Sequence, residues 1–245
     1  MKFSVSKNYE SLSREVADLI SSRISKSTKK PILVCLASGH SPVGVFKCMA
    51  DDVHSAKLNL KDCLFISLDE WLGFGSNDDG SCRLMMDKDF FKPLGITENQ
   101  IVFFDGLSQT PEQECERVNE LVSKHGGFDI MLVGIGTNGH IAMNEPGTSF
   151  SSYAHVSNLA EETKLVGQKY FTKQTKLDKG LTVGLRHFSE ARLPIAIMSG
   201  AKKANIVKKI MRSRPTEDIP ATIVHTMKQG YLMVDEEAGR LIEKP

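Results

Sequence analysis

A histidine and a carboxylate lie close together in the glycine-rich stretch Gly134–Gly147, which reads GIGTNGHIAMNEPG. Its GxGxxG spacing is typical of dinucleotide sites, but that fingerprint needs a helix beginning at the third glycine, and the letters NEPG soon after would stop one. We therefore interpret the glycines as a sharp turn that lets His140 and Glu145 reach one pocket. A histidine titrates near neutral pH, and a neighbouring carboxylate raises its basicity. A purely structural histidine is the alternative.

Two adjacent carboxylates, Asp69 and Glu70, directly follow an apolar run and precede the single tryptophan of the chain, Trp71. In extended backbone, successive side chains point to opposite sides, so only one of the two can face a given pocket. We select Asp69, which lies at the end of the strand. The alternative is that both carboxylates only cap a helix or pair with basic side chains.

A third polar segment, Ser38-Gly39-His40-Ser41-Pro42, joins an apolar strand to a helix. Backbone N–H groups at a helix start, aided by the helix dipole and two hydroxyls, form a cradle suited to a phosphate. The same residue types are also favoured at any helix start, so a plain N-terminal cap is the alternative.

The elements around these segments alternate between strand and helix. A helical repeat of apolar residues covers roughly residues 8 to 27, Pro42 suits the first turn of a helix, and Thr110-Pro111-Glu112-Gln113 predicts a capping box for another, which ends at Gly126-Gly127. Further helices are predicted over Gly80–Leu94 and Ala201–Arg212. The predicted strands are Ile32–Ala37, Cys63–Leu68, Ile101–Phe104, Phe128–Ile135, Leu181–Leu185, Pro194–Ser199 and Tyr231–Val234.

This alternation predicts an α/β fold with a Rossmann-like, open, mostly parallel sheet and helices on both faces. The 245 residues lack an internal repeat or a Pro/Ser-rich linker, so we expect a single domain over 1–245. Residues 147–180 form a long polar stretch that is either a surface excursion or a lid over the site.

Composition excludes several classes of function. A net charge of +1, with both signs scattered, gives no field to attract nucleic acid or an anionic membrane. No apolar run approaches the roughly 20 residues that span a bilayer, and the first residues do not resemble a signal peptide, so a cytoplasmic location is expected. The 5 cysteines form no CxxC pair, which predicts neither disulfides nor a metal site. Cys82 is interpreted as a surface or helix-start residue rather than a nucleophile, because no base is adjacent.

The three polar segments together resemble the glucosamine-6-phosphate deaminase/isomerase family in order and spacing. The GxGxNGHIxxNEPG motif of Gly134–Gly147 is specific, and Leu36–Pro42 and Ser67–Trp71 support it. The similarity continues through Leu181–Leu185 and Ser199–Ala204 and thus covers most of the chain. Within the family, Leu68–Trp71 and Gly80-Ser81-Cys82 are similar to the galactosamine-6-phosphate branch.

The resemblance implies a Rossmann-like fold, no cofactor, and a sugar phosphate as the small-molecule partner. It implies conversion of a 2-amino-2-deoxyhexose 6-phosphate to a ketohexose 6-phosphate plus ammonia, and it allows either a monomer or a homo-oligomer. By motif position, the catalytic residues would be Asp69 as the base between C2 and C1, His140 for ring opening, Glu145 as its partner, and Asn138. The phosphate would be bound by Ser38, Gly39, His40, Ser41, Lys169 and Lys203.

Three positions depart from the family pattern. Asn138 stands where many members have aspartate, so it can hydrogen-bond near His140 but supplies no charge. His40 stands where glycine or alanine is usual, and Lys169 stands where many members have an arginine, with Lys164 and Lys173 as competitors.

Two other functions fit parts of the pattern. A 6-phosphogluconolactonase shares the fold and a glycine-histidine motif, but Asn144-Glu145-Pro146 favours the deaminase. A sugar-phosphate-sensing regulator would need a DNA-binding module, and the residues before the first predicted strand, Ile32–Ala37, hold only one amphipathic helix.

Overall fold

The computed structural model describes residues 1–242, and its centre is a seven-stranded sheet in which all paired strands are parallel. In chain order the strands of the molecule are β1 (Lys2–Ser6), β2 (Ile32–Leu36), β3 (Cys63–Ser67), β4 (Asp69–Trp71), β5 (Ile101–Val102), β6 (Ile130–Gly134), β7 (His155–Asn158), β8 (Lys179–Thr182), β9 (Pro194–Met198) and β10 (Tyr231–Asp235). The order across the large sheet is β1-β10-β9-β6-β2-β3-β5. The predicted Rossmann-like α/β fold is confirmed.

Helices cover both faces of this sheet. They are α1 (Tyr9–Ser25), α2 (Val43–His54), α3 (Cys82–Met86), α4 (Pro111–Lys124), α5 (Glu161–Gly167), α6 (Leu185–Glu190), α7 (Ala204–Arg212) and α8 (Glu236–Gly239). Within β2, Val34 packs with α1 and α2 on one face, whereas its neighbours Leu33 and Cys35 pack with α4, α6 and α7 on the other. Strands buried on both faces must be apolar throughout, which explains the continuous apolar runs that predicted them.

The order of the strands reverses beside β2. From β2 the chain moves outward through β3 to β5, and it then returns to β6 on the other side of β2 before moving outward through β9 to β10. The loops after β2 and β6 therefore leave the sheet in opposite directions and open a crevice at the carboxyl ends of the strands. Ligands of open α/β sheets bind in such a crevice.

A second, three-stranded antiparallel sheet lies beside this edge, in the order β4-β8-β7. It corrects one prediction, because the strand expected at Leu181–Leu185 is β8, which ends at Thr182 and pairs antiparallel, while Leu185 begins α6. The polar stretch 147–180 contains β7 and the start of β8, so part of it belongs to this sheet.

Local boundaries follow the predictions with specific exceptions. The helix predicted over Gly80–Leu94 is α3 followed by a π-helical turn over Asp87–Phe91. The prediction of a capping box at Thr110 is wrong, because the Thr110 side chain makes no capping hydrogen bond. Pro111 does begin α4. The strand β1 was not predicted, so the expectation that only one helix precedes the first strand is also wrong. Lys2–Ser6 is short and half exposed on a sheet edge, and it therefore shows little apolar pattern.

Helices long and apolar enough to cross a membrane do not occur within residues 1–242.

Candidate active site

A cavity opens at the crevice between the ends of β2 and β6. Its walls come from the loops after β2, β6 and β9, from the β4–α3 region, and from helix α5 with the turn that follows it. Among the lining residues are Ser38, Ser41, Asp69, Cys82, Gly136, His140, Thr163, Tyr170 and Lys203. Side chains from five separate parts of the chain therefore meet where the sheet topology favours a ligand.

The two adjacent carboxylates have different surroundings. Glu70 is buried and accepts hydrogen bonds from the backbone N–H groups of Trp71, Cys82 and Arg83, each at 2.9 Å. It thereby attaches the start of α3 to β4. Asp69 points to the other side and lines the cavity, as the alternation along a strand requires.

The surroundings of Asp69 make it a stronger base than an ordinary aspartate. Burial raises the pKa of Asp69 to about 6, and a hydrogen bond with the Cys82 side chain opposes this only in part. Burial likewise raises the pKa of the Cys82 thiol, so Cys82 is a neutral donor to the carboxylate and not a thiolate. Cys82 begins α3, as predicted, but it is buried and not on the surface.

His140 and Glu145 are brought together by the turn that follows β6. The Nδ1 atom of His140 lies 3.7 Å from Oε2 of Glu145. Asn138 joins the two residues, because its Oδ1 accepts from the His140 backbone N–H and its Nδ2 donates to Glu145 Oε2, both at 3.0 Å. Gly136 is required here, since a Cβ at this position would collide with the imidazole ring.

The pKa of His140 is shifted in the direction opposite to that of Asp69. Burial is the main cause that lowers the pKa of His140, and the positive charge of Lys203 acts in the same direction, while the carboxylate of Glu145 opposes it. The imidazole is therefore neutral at pH 7 and can accept a proton.

The segment after β2 presents its two serines to the cavity, while its glycine and histidine lie against Tyr170. Ser38 and Ser41 line the cavity. Gly39 has φ +80°, and a Cβ there would approach the Tyr170 hydroxyl to 2.6 Å, so only glycine suits the position. His40 is exposed and stacks on Tyr170, with ring centroids 5.3 Å apart.

The two lysines assigned to the phosphate occupy different places. Lys203 ends a 3₁₀ turn after β9, lines the cavity, and donates from Nζ to the carbonyl of Ile135. Burial lowers the pKa of the Lys203 ammonium. Lys169 is exposed and is not among the residues that line the cavity. Of its competitors, Lys164 pairs with Glu161 and Lys173 is exposed outside the cavity.

Residues 161–171 cover the cavity from above. Val166 and Tyr170 line it, Gly167 lies against the Trp71 ring, and Phe171 packs on Trp71 with ring centroids 6.2 Å apart. The sequence did not identify Thr163 or Tyr170 as site residues. No local signal marks them, because they reach the cavity through contacts with residues far away in the chain.

Among residues 1–242, no group of three or more His, Cys, Asp or Glu side chains is arranged to hold a metal ion.

The fold and the site together define a Rossmann-like α/β protein with a cavity at the switch point of its sheet, lined in part by titratable side chains. Residues 7–234 match the family model described as glucosamine-6-phosphate isomerases/6-phosphogluconolactonase. A glucosamine-6-phosphate deaminase from Clostridium perfringens is 32% identical over 244 residues, covering 99% of this chain and 100% of the relative. One from Shouchella clausii is 34% identical, covering 95% and 94%.

Solved structures agree with these relatives. A structure of a monomeric glucosamine-6-phosphate deaminase superposes with a TM-score of 0.93 at 31% identity, covering 98% of this chain and 100% of the other. A 6-phosphogluconolactonase from Trypanosoma cruzi, 17% identical with a TM-score of 0.80 and coverage of 99% and 97%, shares the fold. The chain belongs to the glucosamine-6-phosphate isomerase/6-phosphogluconolactonase family, and the resemblance noted in its sequence is confirmed.

Proposed function

We propose that this chain is an enzyme that converts glucosamine 6-phosphate to a ketohexose 6-phosphate and ammonia. The observation that carries the proposal is that Asp69 and His140, which follow different strands, line one cavity together with Lys203 and two serines. A buried carboxylate of raised pKa and a neutral imidazole are the two proton-transfer groups that the reaction needs. The similar proteins from Clostridium perfringens and Shouchella clausii are glucosamine-6-phosphate deaminases.

The phosphate of the substrate would be held at the end of the cavity formed by Ser38, Ser41 and Lys203. The two hydroxyls donate hydrogen bonds, and the ammonium of Lys203 supplies the positive charge that a phosphate of about −1.5 to −2 requires. The phosphate does not react, so its role is to hold the sugar carbons in register with the proton-transfer groups.

Ring opening is the step assigned to His140. A neutral imidazole takes the proton from the anomeric hydroxyl and returns a proton to the ring oxygen, which gives the open-chain aldehyde. The lowered pKa of His140 keeps its ring neutral before the step, as this role requires.

Isomerisation is the step assigned to Asp69. The proton on C2 becomes acidic beside the new aldehyde, and the Asp69 carboxylate removes it and returns it to C1, while the C1 oxygen gains the proton that the C2 amino group loses. The resulting imine at C2 then takes up water and releases ammonia, so the overall reaction consumes one water. A base with a pKa of about 6 accepts a proton more readily than an ordinary aspartate.

Ammonia release separates the candidate activities. Purified protein without added metal or nucleotide is expected to release ammonia from glucosamine 6-phosphate, measured against galactosamine 6-phosphate in the same assay. Faster turnover of the galactosamine epimer would reassign the substrate to the branch that the Gly80-Ser81-Cys82 segment resembles. Hydrolysis of a 6-phosphogluconolactone without ammonia release from either amino sugar would refute the deaminase.

We also propose that residues 147–180 act as a lid, with 161–171 as the part that covers the substrate. Support comes from their position above the cavity and from the contacts of Tyr170 and Phe171 with its rim. Amide hydrogen exchange in α5 is expected to slow when a substrate analogue binds. Exchange that is unchanged by the ligand would contradict the lid.

A phosphorylated substrate and unpaired cysteines suit a cytoplasmic enzyme, and we propose that location. Since the monomeric relative superposes over nearly the whole chain, we propose a monomer, and a measurement of mass in solution would reveal a homo-oligomer.

A further inference from the structure

The Nδ1 atom of His140 has a closer neighbour than Glu145, and that neighbour belongs to the covering helix. The hydroxyl Oγ1 of Thr163, in α5, lies 3.2 Å from Nδ1, whereas Glu145 Oε2 lies 3.7 Å away. A separation of 3.7 Å is too long for a direct hydrogen bond, and this Glu145 oxygen already accepts from Asn138. Thr163 is therefore the hydrogen-bond partner of the ring.

Thr163 is unlike its neighbours in the helix. It is only 7% exposed, while Leu165 is 71% exposed and the glutamates at the start of α5 are also exposed. Its hydroxyl makes no other hydrogen bond among residues 1–242. Buried hydroxyls are normally hydrogen-bonded, and the imidazole nitrogen is the partner that satisfies this one.

We propose that Thr163 is a positioning residue that fixes the tautomer of His140, with the proton on Nδ1 and the lone pair on Nε2. A threonine hydroxyl can donate or accept, so it alone does not select a tautomer. The negative charge of Glu145 near Nδ1 favours the proton on that nitrogen, and the Thr163 oxygen then accepts it. The remaining nitrogen, Nε2, is left as the base that acts on the sugar ring. The inference rests on the proposed function of His140 and extends it.

Because Thr163 belongs to α5, its contact with His140 links the covering segment to ring opening. The hydrogen bond exists only while α5 lies over the cavity. The tautomer that Glu145 favours therefore gains its hydrogen-bond acceptor, and the ring its fixed orientation, only when the covering segment is in place, so ring opening is expected to follow closure of that segment.

Replacing Thr163 by valine keeps the shape of the side chain and removes the hydroxyl. For Thr163→Val we expect kcat to fall by about 10- to 100-fold, a part of what general acid–base catalysis contributes, with KM changed by less than about threefold. Thr163→Ser keeps the hydroxyl and is expected to recover most of the loss. The matched control is Thr226→Val, outside both the lid and the cavity lining, whose hydroxyl donates to the Ile223 carbonyl and which is expected to keep normal kcat.

The tautomer is measured directly by ¹⁵N NMR of labelled histidine in the ligand-free protein. The wild type is expected to show a protonated Nδ1 and an unprotonated Nε2 for His140, and Thr163→Val is expected to show a mixture of the two tautomers. A wild-type spectrum with the proton on Nε2, normal kcat in Thr163→Val, or no recovery in Thr163→Ser would each overturn the proposal. Because this readout needs no substrate, it is independent of the proposed reaction, which fails instead if the wild type releases no ammonia.

Discussion

Burial shifts the pKa of a side chain in opposite directions on the two walls of the cavity. On one wall burial raises the pKa of Asp69 to about 6, and on the other burial lowers the pKa of His140. Loss of water disfavours whichever form is charged, so the carboxylate becomes a stronger base and the imidazole stays neutral. Both groups are thus ready to accept protons near pH 7. Burial in one cavity thus prepares two different bases.

The walls differ in how they are built. Asp69 belongs to β4, and its neighbour Glu70 attaches that strand to α3 by accepting from the backbone N–H groups of Cys82 and Arg83. His140 lies in a glycine-rich turn and takes its partners from the turn itself and from α5. We therefore expect the Asp69 wall to be fixed and the His140 wall to depend on the covering segment.

The largest expected effect is on the Asp69 wall. Asp69→Asn keeps the shape but removes the base, so kcat is expected to fall by about 10²- to 10⁴-fold while KM changes little. Steady-state kinetics of ammonia release check this. Retention of the wild-type kcat would show that the base has been misassigned.

Removing the ammonium of Lys203 is expected to have a smaller effect, mainly on substrate binding. Lys203→Ala removes the cavity-lining ammonium that we propose binds the phosphate, so KM is expected to rise by about 10- to 100-fold with kcat less affected. Lys169→Ala is the matched control, because Lys169 is exposed and outside the cavity lining. If Lys169→Ala raised KM as much as Lys203→Ala, the covering segment would reach further over the phosphate than this structure places it.

The pKa of Asp69 also predicts a change in stability. An aspartate ordinarily ionises near 3.8 and Asp69 does so at about 6, so between these values the folded chain holds a proton that the unfolded chain has released. Raising the pH through this window lowers the free energy of unfolding, by at most about 3 kcal/mol at pH 7. Asp69→Asn is therefore expected to be more stable than the wild type at pH 8 and equal to it near pH 4. Denaturant unfolding at both pH values measures this, and equal stability at pH 8 would contradict the raised pKa.

The smallest effect is a shift in the pH dependence. Because Asp69 must be ionised to act, kcat/KM is expected to rise as the pH increases through about 6. The substrate phosphate also ionises near pH 6, so ¹³C NMR titration of labelled aspartate in the free protein serves as the control. A titration of Asp69 near the ordinary value for aspartate would contradict the opposite pKa shifts of the two walls.

The sequence predicted the sheet well and the site unevenly, for physical reasons. Strands such as β2 and β6 are buried on both faces, so they must be apolar throughout and are easily recognised. Edge strand β1 and the short β7 have no such constraint, and neither was predicted. Alternation along a strand predicted that only one of Asp69 and Glu70 faces the pocket, and Asp69 was selected because it lies at the strand end; it is Asp69 that lines the cavity, while Glu70 bonds the start of α3.

Contacts between segments that are distant in the chain could not be predicted from the sequence. Asn138, His140 and Glu145 are neighbours in one turn, so their association could be predicted from spacing. The approach of Thr163 to His140 and of Tyr170 to His40 depends on how the covering segment folds back, and no local pattern encodes it. Lys169, which motif position assigned to the phosphate, is exposed outside the cavity lining, and its role stays a prediction.

The division of labour between Asp69 and His140 is tested most directly by following labelled glucosamine 6-phosphate by NMR in heavy water with the Asp69→Asn variant. This variant is expected still to speed the interchange of the two anomers, which needs only ring opening, while it yields almost no ammonia and no ketohexose product. Ammonia release at the wild-type rate, or loss of anomer interchange together with turnover, would contradict this division of labour.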